Sequence, residues 1–500
     1  MKFVLKHKFE IIILFILTLL FFLLRLPNLT SQPIFADEAI YIRWAQIMKA
    51  EPTLRYISMQ DGKTPLFMWA MIPFFKVFAD PLFAGRFLSV LAGLFTMLGV
   101  FALSARVFNT RVALWATLIY VVLPFMVFFD RMALVDSMLA GFTIWALYFA
   151  IWLLQKPRLD LAMITGYLLG FAWMTKTPAL LNLIALPATI IGVNFKSISR
   201  KELLKLLLFW GVAILFAQIM YNSLRLGPEF NQLSARNGDY VFSIAELKGR
   251  PLDPFIPHLH DVTDWFQRLV TWPITALIFI GIGFAIKTKN RLSWGVLAWT
   301  LVPLIILMTF LRTFTARYIL LCIPPLIIFG GYGLDLIYLK LRSTNKLAPL
   351  AVILFFPLAL MNSYLIVTDI AKADLSRNER SGYLEDWTAG YGFKEIAAYL
   401  REQNQQLPIV IGTAGFFGTL PDGLYIYLDK ANIPIVGSNG LVSAELKNSI
   451  KLKPTYYVAN DDKRVIVTDA ILIQEYPKAL PPTKKPQQAI KLYKLIPPKP

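Results

Sequence analysis

The stretch PIFADEAIYIRW, residues 33–44, contains the residues of this sequence that most directly suggest chemistry, the adjacent carboxylates of Asp37 and Glu38. They follow an apolar run that ends at Arg25, in a chain that carries only 31 acidic residues among 500. A carboxylate within hydrogen-bonding reach of a hydroxyl can act as a general base. Aspartate is also a favoured helix N-cap, and a helix-like stretch follows Asp37. The spacing leaves both interpretations open.

Further charged residues recur at the predicted outer ends of apolar segments: Arg86, Asp130, Arg131, Asp136, Lys176, Arg312 and Arg317. A single basic residue at such a position often has no other function than to bury its aliphatic stem and place its charge at the membrane interface. Their number, on the face where positive charge is normally sparse, favours phosphate binding, for which guanidinium and ammonium groups are suited. If a sugar linked to a lipid phosphate binds there, the cations stabilise the leaving phosphate while a carboxylate deprotonates the attacking hydroxyl.

The composition indicates a polytopic membrane protein. Charged residues make up 16% of the chain and hydrophobic residues 57%, whereas a soluble chain has about a quarter charged residues. Runs such as LLKLLLFWGVAILFAQIM are long enough to cross a hydrocarbon core of roughly 30 Å as helices. The net charge of +19 does not indicate nucleic acid, because the basic residues lie at the ends of apolar segments. Cys322 is the only cysteine, so no intrachain disulfide can form.

The apolar segments predict an all-α membrane domain, residues 1–367, with about eleven transmembrane helices. The predicted spans are 10–25, 84–105, 111–129, 133–154, 161–176, 178–194, 203–221, 266–286, 292–311, 317–338 and 347–367. With a cytoplasmic N-terminus, the cytoplasmic connections hold 17 Lys and Arg against two acids, which fixes the orientation by the positive-inside rule. The segment 64–79 contains Pro73 and Lys76 and is predicted to be an interfacial helix within an outer loop, residues 26–83. A second outer loop covers 222–265.

An odd number of spans places residues 368–500 outside the cytoplasm. Short β-like runs alternate there with helical stretches such as FKEIAAYLREQ, which predicts an extracytoplasmic α/β domain. The run RVIVTD is one of the predicted strands, and the proline-rich tail is predicted to be extended. We expect the protein to lie in the plasma membrane.

Six short motifs resemble those of a known superfamily. FADEAIY holds the acidic pair, DGKTPLFMW opens the interfacial helix, and AGRFLSVLAG begins the second span. Further along lie DRMALVDSM, WMTKTPAL and TARYILLCIPP. In order and spacing, across about residues 25–330, these motifs resemble the glycosyltransferase C superfamily, especially its protein O-mannosyltransferase and lipid A aminoarabinose transferase branch.

This resemblance implies an enzyme that uses a polyprenyl-phosphate sugar and has no nucleotide-sugar fold. Asp37 would be the catalytic base of an inverting transfer, Glu38 would orient the acceptor or the first loop, and Asp136 would be a second carboxylate near the reaction centre. The donor phosphate would be held by cations, with Tyr318 as a wall or hydrogen-bond partner; the candidate cations are Lys63, Arg86, Arg131, Lys176 and Arg317.

Three departures from the family pattern leave the sugar and the acceptor open. The protein mannosyltransferases have a histidine at the start of the Lys-Pro-type motif, and the aminoarabinose transferases have a glutamate directly before its lysine. This chain has Gly62 before Lys63, and Asp61 is the nearest acid. The β-trefoil insertion of eukaryotic protein mannosyltransferases is not found in the sequence either.

Three other stretches have competing interpretations. His258, His260 and Asp261 in PHLHD have metal-ligand chemistry, but an i, i+2 histidine pair in a loop is usually surface decoration, so no metal or other cofactor is predicted. The stretch 383–400, YLEDWTAGYGFKEIAAYL, is either an acceptor-side loop, since sugars stack on aromatic rings, or a packed turn before a helix. AGFFGTLPDG, 414–423, is interpreted as a structural turn because it lacks a nucleotide-binding spacing.

The sequence therefore predicts an inverting membrane glycosyltransferase that acts on the extracytoplasmic face. Its expected partners are a polyprenyl-phosphate sugar donor, a lipid, glycan or protein acceptor, and membrane lipids, with no nucleic acid. The alternatives are a lipid flippase, a membrane scaffold, and a polymerase or ligase of lipid-linked glycans. A flippase is disfavoured because no ionisable group lies near the midpoint of a predicted span.

Overall fold

The chain is mostly helical in the structure, a computed structural model that describes residues 8–196, 198–250, 252–439, 442–460, 469–482 and 486–497. The α-helices of six or more residues are α1 (Lys8–Leu23), α2 (Ala36–Ala50), α3 (Leu66–Met71), α4 (Pro81–Val107), α5 (Thr110–Val122), α6 (Pro124–Asp130), α7 (Val135–Gln155), α8 (Leu159–Thr175), α9 (Leu180–Ala188), α10 (Arg200–Asn222), α11 (Phe255–Trp265), α12 (Trp272–Lys287), α13 (Arg291–Phe310), α14 (Ile323–Arg342), α15 (Pro357–Thr368), α16 (Phe393–Gln406), α17 (Thr419–Leu428) and α18 (Ala444–Ile450).

Shorter α-helical segments and stretches of 3-10 and π-helix lie between these helices. They are Pro52–Leu54, Ile57–Asp61, Ile72–Lys76, Thr177–Ala179, Thr189–Gly192, Ser223–Leu226, Gln232–Ala235, Asn237–Tyr240, Ile244–Lys248, Phe266–Thr271, Ala316–Cys322, Ala348–Phe355, Ile370–Lys372, Arg377–Arg380 and Ser381–Glu385. Prolines begin several helices, where the missing N–H would have no intrahelical partner.

Six helical segments in the described part of the chain are long and apolar enough to cross a membrane, and up to eight if two bent pairs each count as one span. The bent pairs are α5 with α6, at 60°, and Ala348–Phe355 with α15, at 40°. The prediction of an integral membrane protein with a mainly helical membrane part is confirmed. The predicted number of transmembrane helices, about eleven, is larger than the six to eight that meet these criteria of length and hydropathy in the described residues. The apolar segment Leu66–Lys76 has only 11 residues, too few to cross as a helix.

The chain forms two compact units, which alternate along the sequence. Within the described residues, unit 1 comprises the chain up to Pro27, Arg55–Phe67 and Ser89–Ser376. Unit 2 comprises Asn28–Leu54, Met68–Leu88 and the chain from Arg377 onward. The predicted functional division after residue 367 stays a prediction, because compactness groups residues by packing rather than by side of the membrane.

Unit 2 contains two sheets. The strands are β1 (Ile34–Phe35), β2 (Ala389–Gly390), β3 (Val410–Ala414), β4 (Ile435–Ser438), β5 (Thr455–Asn460), β6 (Ala470–Pro477) and β7 (Ala489–Leu495). β1 and β2 form an antiparallel pair, and the larger sheet has the order β4-β3-β5-β7-β6. β4, β3 and β5 run parallel, while β7 and β6 continue the sheet antiparallel.

Helices α16, α17 and α18 alternate with the parallel strands, as expected for βαβ connections. Leu446 of α18 packs with Val410, Tyr457 and Leu495 in a core against this sheet. The expected mixture of helices and strands after residue 368 is present, and an extracytoplasmic α/β domain stays a prediction. Residues 464–468 of the predicted strand RVIVTD and parts of the proline-rich tail fall outside the described residues.

Unit 1 contains a buried ion pair that joins α1 to α6. Arg25 donates from Nε to Asp130 at 3.0 Å, and both side chains are inaccessible to solvent. Arg25 also donates to the carbonyls of Val121 and Tyr120, and Asp130 accepts from the hydroxyls of Tyr120 and Ser137. Because both charges are hydrogen-bonded, the desolvation cost of each is partly offset. The network holds the end of the first helix against the bent pair α5–α6.

Candidate active site

The two adjacent carboxylates lie in the first turn of α2, within unit 2, and have different surroundings. The helix begins at Ala36, so Asp37 is its second residue and Glu38 its third. The Phe35 N–H donates to Glu38 Oε2 at 2.9 Å. Glu38 is fully buried, whereas Asp37 is partly exposed. Asp37 was a candidate for the helix cap. The structure shows that Glu38 accepts the N–H at the helix start instead.

Arg86 of α4 fixes this helix start. Its Nε and one terminal nitrogen donate to the two oxygens of Glu38, each at 2.8 Å. The remaining N–H groups donate to the carbonyls of Leu29, Gln32 and Pro33. All five guanidinium donors are thus used inside unit 2, in a side chain with no exposed surface. This geometry supports a positioning function for Arg86, not the phosphate contact that the resemblance implies.

Four of the predicted site residues come together in unit 1. Lys176, directly after α8, donates to Asp136 Oδ1 at 2.6 Å. The Lys176 ammonium also lies 4.5 Å from the centroid of the Tyr318 ring, and the Arg317 guanidinium lies 5.4 Å from the same ring. Tyr318 thus has two cations against it, which cation–π attraction favours. A carboxylate, two cations and a phenol form one cluster.

Asp136 leaves an acceptor in this cluster. Its side chain is 99% buried, and Oδ2 has no hydrogen-bond partner among the residues that the structure describes. The residue lies in the first turn of α7, where the helix dipole stabilises negative charge. A ligand hydroxyl would satisfy Oδ2, since a buried oxygen without a partner is costly.

Lys63 lies in a second group of unit 1. Its ammonium is 3.3 Å from the Tyr240 hydroxyl and 4.9 Å from the ring centroid. Next to it, Asp61 accepts from Arg236 at 2.5 Å. Gly62 has a φ of +67°, and a Cβ there would lie 2.6 Å from the Cβ of Arg236. A side chain such as glutamate at position 62 would therefore be strained, because this backbone conformation and this crowding both favour glycine.

Arg131 is 1% exposed and donates from one nitrogen to the carbonyls of Arg25 and Pro27. These bonds fix the end of the first span, so Arg131 has a structural function in unit 1 whether or not it also contacts a ligand.

The contact of Tyr240 with Lys63 was not predicted from the sequence. A single tyrosine in a long connection has no local pattern that would indicate such a contact.

The histidine stretch lies in α11, a helix within the predicted outer loop 222–265. His258 is buried, and its Nδ1 lies 2.7 Å from the Met308 carbonyl oxygen. Within the described ranges, no group of three or more His, Cys, Asp or Glu side chains is arranged to hold a metal ion.

The loop before α17 contains a carboxylate with a shifted pKa. Asp422 Oδ2 accepts the Gly418 N–H at 2.7 Å. Burial raises the pKa of Asp422 from its ordinary 3.8 to about 6, although this hydrogen bond and nearby Arg43 oppose the shift. The folded chain therefore binds more protons than the unfolded chain between these two values, and the stability from this group is lost as the pH rises through about 6.

Asp422→Asn should stabilise unit 2 at pH 7.5 by at most about 3 kcal/mol, and by much less at pH 4, because the amide carries no charge to desolvate. Hydrogen exchange of residues 415–423, corrected for intrinsic rates, measures this at both pH values. Asp429→Asn is the control, since its half-exposed pair with Arg43 should contribute less than about 1 kcal/mol. Equal protection of wild type and Asp422→Asn at pH 7.5 would contradict the raised pKa.

Comparisons with known proteins agree with this architecture. Residues 62–221 match the family model described as dolichyl-phosphate-mannose-protein mannosyltransferase. ArnT from Cupriavidus metallidurans bound to undecaprenyl phosphate superposes with a TM-score of 0.62 and 14% identity, over 97% of this chain and 98% of that one. The resemblance to the glycosyltransferase C superfamily is confirmed.

A second glycosyltransferase C structure is also similar. The archaeal oligosaccharyltransferase AglB from Archaeoglobus fulgidus, in complex with an inhibitory peptide and a dolichol-phosphate, superposes with a TM-score of 0.56 and 12% identity, over 91% of this chain and 70% of that one. At such identities the similarity shows the shared fold. No curated protein matches the sequence at a comparable level of significance.

Proposed function

We propose that the protein is an inverting glycosyltransferase that moves a sugar from a polyprenyl-phosphate donor to an acceptor hydroxyl. The observation that carries the proposal is the cluster of Lys176, Arg317, Tyr318 and Asp136, in a glycosyltransferase C fold. Two cations on one aromatic ring, at the ends of apolar segments, suit a phosphate attached to a lipid. The ArnT and AglB complexes contain undecaprenyl phosphate and dolichol-phosphate, respectively, which supports this donor class.

The proposed reaction is a single displacement. The acceptor oxygen attacks the anomeric carbon and loses its proton to the Asp37 carboxylate. The bond from the anomeric carbon to the phosphate oxygen breaks, and its electron pair stays on the polyprenyl phosphate. Lys176 and Arg317 stabilise the charge that develops there. Asp136 keeps Lys176 oriented and offers Oδ2 to a sugar hydroxyl. Glu38 and Arg86 hold the start of α2, and with it Asp37.

The same proposal includes the finer topology. Eleven spans with a cytoplasmic N-terminus place the acidic pair and the basic cluster on the extracytoplasmic face of the plasma membrane. Purified protein in lipid, supplied with a panel of radiolabelled polyprenyl-phosphate sugars, tests the activity. Release of label to water or to an added acceptor from at least one donor is expected. No release from any donor would contradict the proposal and favour a scaffold or a flippase.

Lys176→Gln should weaken donor binding by about 10- to 100-fold, the range expected when one charge-assisted hydrogen bond is lost. The KM for the donor and the Kd for polyprenyl phosphate report the loss. Arg158→Gln is the matched control, because Arg158 forms an exposed pair with Asp160 in the same unit. Lys176→Arg should retain part of the affinity. Unchanged donor binding in Lys176→Gln would remove Lys176 from the phosphate site.

A further inference from the structure

The short β1–β2 ladder joins the segment that leads into Asp37 to the segment that follows Trp387. Ile34 pairs with Gly390, and Phe35 pairs with Ala389. The next residues also meet, since the Ala36 N–H donates to the Thr388 carbonyl at 3.0 Å. Asp37 and Trp387 are the following residues on the two antiparallel segments, and both belong to unit 2.

The segment that carries Trp387 is fixed by buried polar groups. Lys478 is 2% exposed, and its ammonium donates to the Asp386 carbonyl at 2.8 Å and to Asn460 Oδ1 at 2.6 Å. The Asn460 amide donates to the Trp387 carbonyl at 2.6 Å. The carbonyls of Asp386, Trp387 and Thr388 therefore all have donors within unit 2. The backbone at Trp387 is held at three consecutive residues.

The Trp387 indole is nevertheless displayed, with 58% of the side chain exposed. A Cβ on Gly418 would lie 3.8 Å from the indole edge, so this glycine borders the ring without covering it. The adjacent Phe417 is 50% exposed, and its ring centroid lies 6.0 Å from that of Trp44 on α2. Trp387 and Phe417 thus form an exposed aromatic surface, and the buried Trp44 packs under Phe417 from α2, the helix that carries Asp37 in its first turn.

We propose that this aromatic surface is the acceptor subsite and that the acceptor is a saccharide, whose ring stacks on Trp387 while its hydroxyl faces Asp37. The inference rests on the proposed function and names its acceptor class. Ligand sites combine an apolar or aromatic wall with a few fixed polar groups, and a sugar ring presents a C–H face to the indole and hydroxyls at its edge. Because the backbone at Trp387 is fixed, the indole is attached at a defined position relative to the start of α2, which carries Asp37.

Two other occupants fit the geometry less well. An extended peptide would be recognised by adding a strand to free backbone groups, but the three carbonyls around Trp387 already have donors. A tryptophan that only anchors the protein at the membrane interface needs an exposed ring, but it does not need a defined position relative to a carboxylate. The saccharide uses both the exposed indole and its position next to Asp37.

The test uses the full-length protein in lipid nanodiscs and an array of mono- to tetrasaccharides of hexoses, amino sugars and pentoses. Wild type is compared with Trp387→Ala, Trp387→Tyr and Trp272→Ala, the last removing a similarly exposed indole from unit 1. Trp387→Ala should lose about tenfold or more in saccharide binding, while Trp387→Tyr and Trp272→Ala retain most of it.

The results separate this inference from the proposed function. Saccharide binding that depends on Trp387 supports the subsite even in a preparation without donor turnover, which alone would count against the proposed function. Saccharide binding that is unchanged in Trp387→Ala, with its melting temperature also unchanged, would overturn the subsite. Transfer to serine- or threonine-containing peptides in preference to every saccharide would also overturn it, and would assign a protein acceptor.

Discussion

Asp37→Asn is expected to lower sugar transfer and donor hydrolysis by about 10²-fold or more, the contribution typical of a positioned general base. The substitution is nearly isosteric, and it removes the negative charge together with the ability to accept a proton. Donor binding should stay unchanged, since the donor phosphate is assigned to the cations of unit 1. The structure adds a further expectation: the melting temperature should not fall, because Glu38 accepts the N-cap N–H of α2. The rate constants of transfer and hydrolysis, with the melting temperature, give the answer.

Glu38→Gln is the matched control for this prediction. It changes the neighbouring carboxylate in the same isosteric way, but in a fully buried residue that pairs with Arg86. It should lower the melting temperature, and its effect on transfer should follow from the loss of folded protein. If Asp37→Asn transfers sugar at the wild-type rate, Asp37 is not the base and the proposed mechanism is wrong.

The fold could be predicted from the sequence because membrane helices and sheet strands leave strong patterns. Long uncharged runs have no stable alternative to helices in a bilayer, and each predicted span coincides with helical structure. The bend between α5 and α6 lies at Leu123, directly before Pro124. This is expected, because the proline ring disfavours a helical conformation of the preceding residue. The alternation of units was not predictable, since packing of 28–54 and 68–88 with the C-terminal part depends on contacts between residues hundreds of positions apart.

The structure brings some of the predicted site residues together, while their roles in catalysis and binding stay predictions. Lys176, Asp136, Arg317 and Tyr318 do form a cluster in unit 1. The role of Glu38 as cap was missed because Phe35, which stands at the N-cap, is not a residue that normally marks a helix start. Arg86 was assigned to phosphate because a sequence does not show that three carbonyls and a glutamate surround the guanidinium.

The buried pair of Glu38 and Arg86 leads to the largest expected effect on stability. Arg86→Met should destabilise unit 2 by about 3–5 kcal/mol, because it leaves the Glu38 charge and three carbonyls without their donor in a site with no solvent. The apparent melting temperature of the protein in detergent should fall by roughly 10 °C. Proteolysis of residues 28–54 should become faster, since Arg86 holds the carbonyls of this segment.

Arg43→Met is the matched control, because Arg43 lies in the same unit and pairs with Asp429 at 3.0 Å, but both side chains are partly exposed. An exposed pair contributes about 0–1 kcal/mol, so the melting temperature should hardly change. The double variant Arg86→Met with Glu38→Gln should recover part of the lost stability, because no uncompensated charge stays buried. If Arg86→Met melts like wild type but binds donor poorly, Arg86 contacts the phosphate and the positioning function assigned to it is wrong.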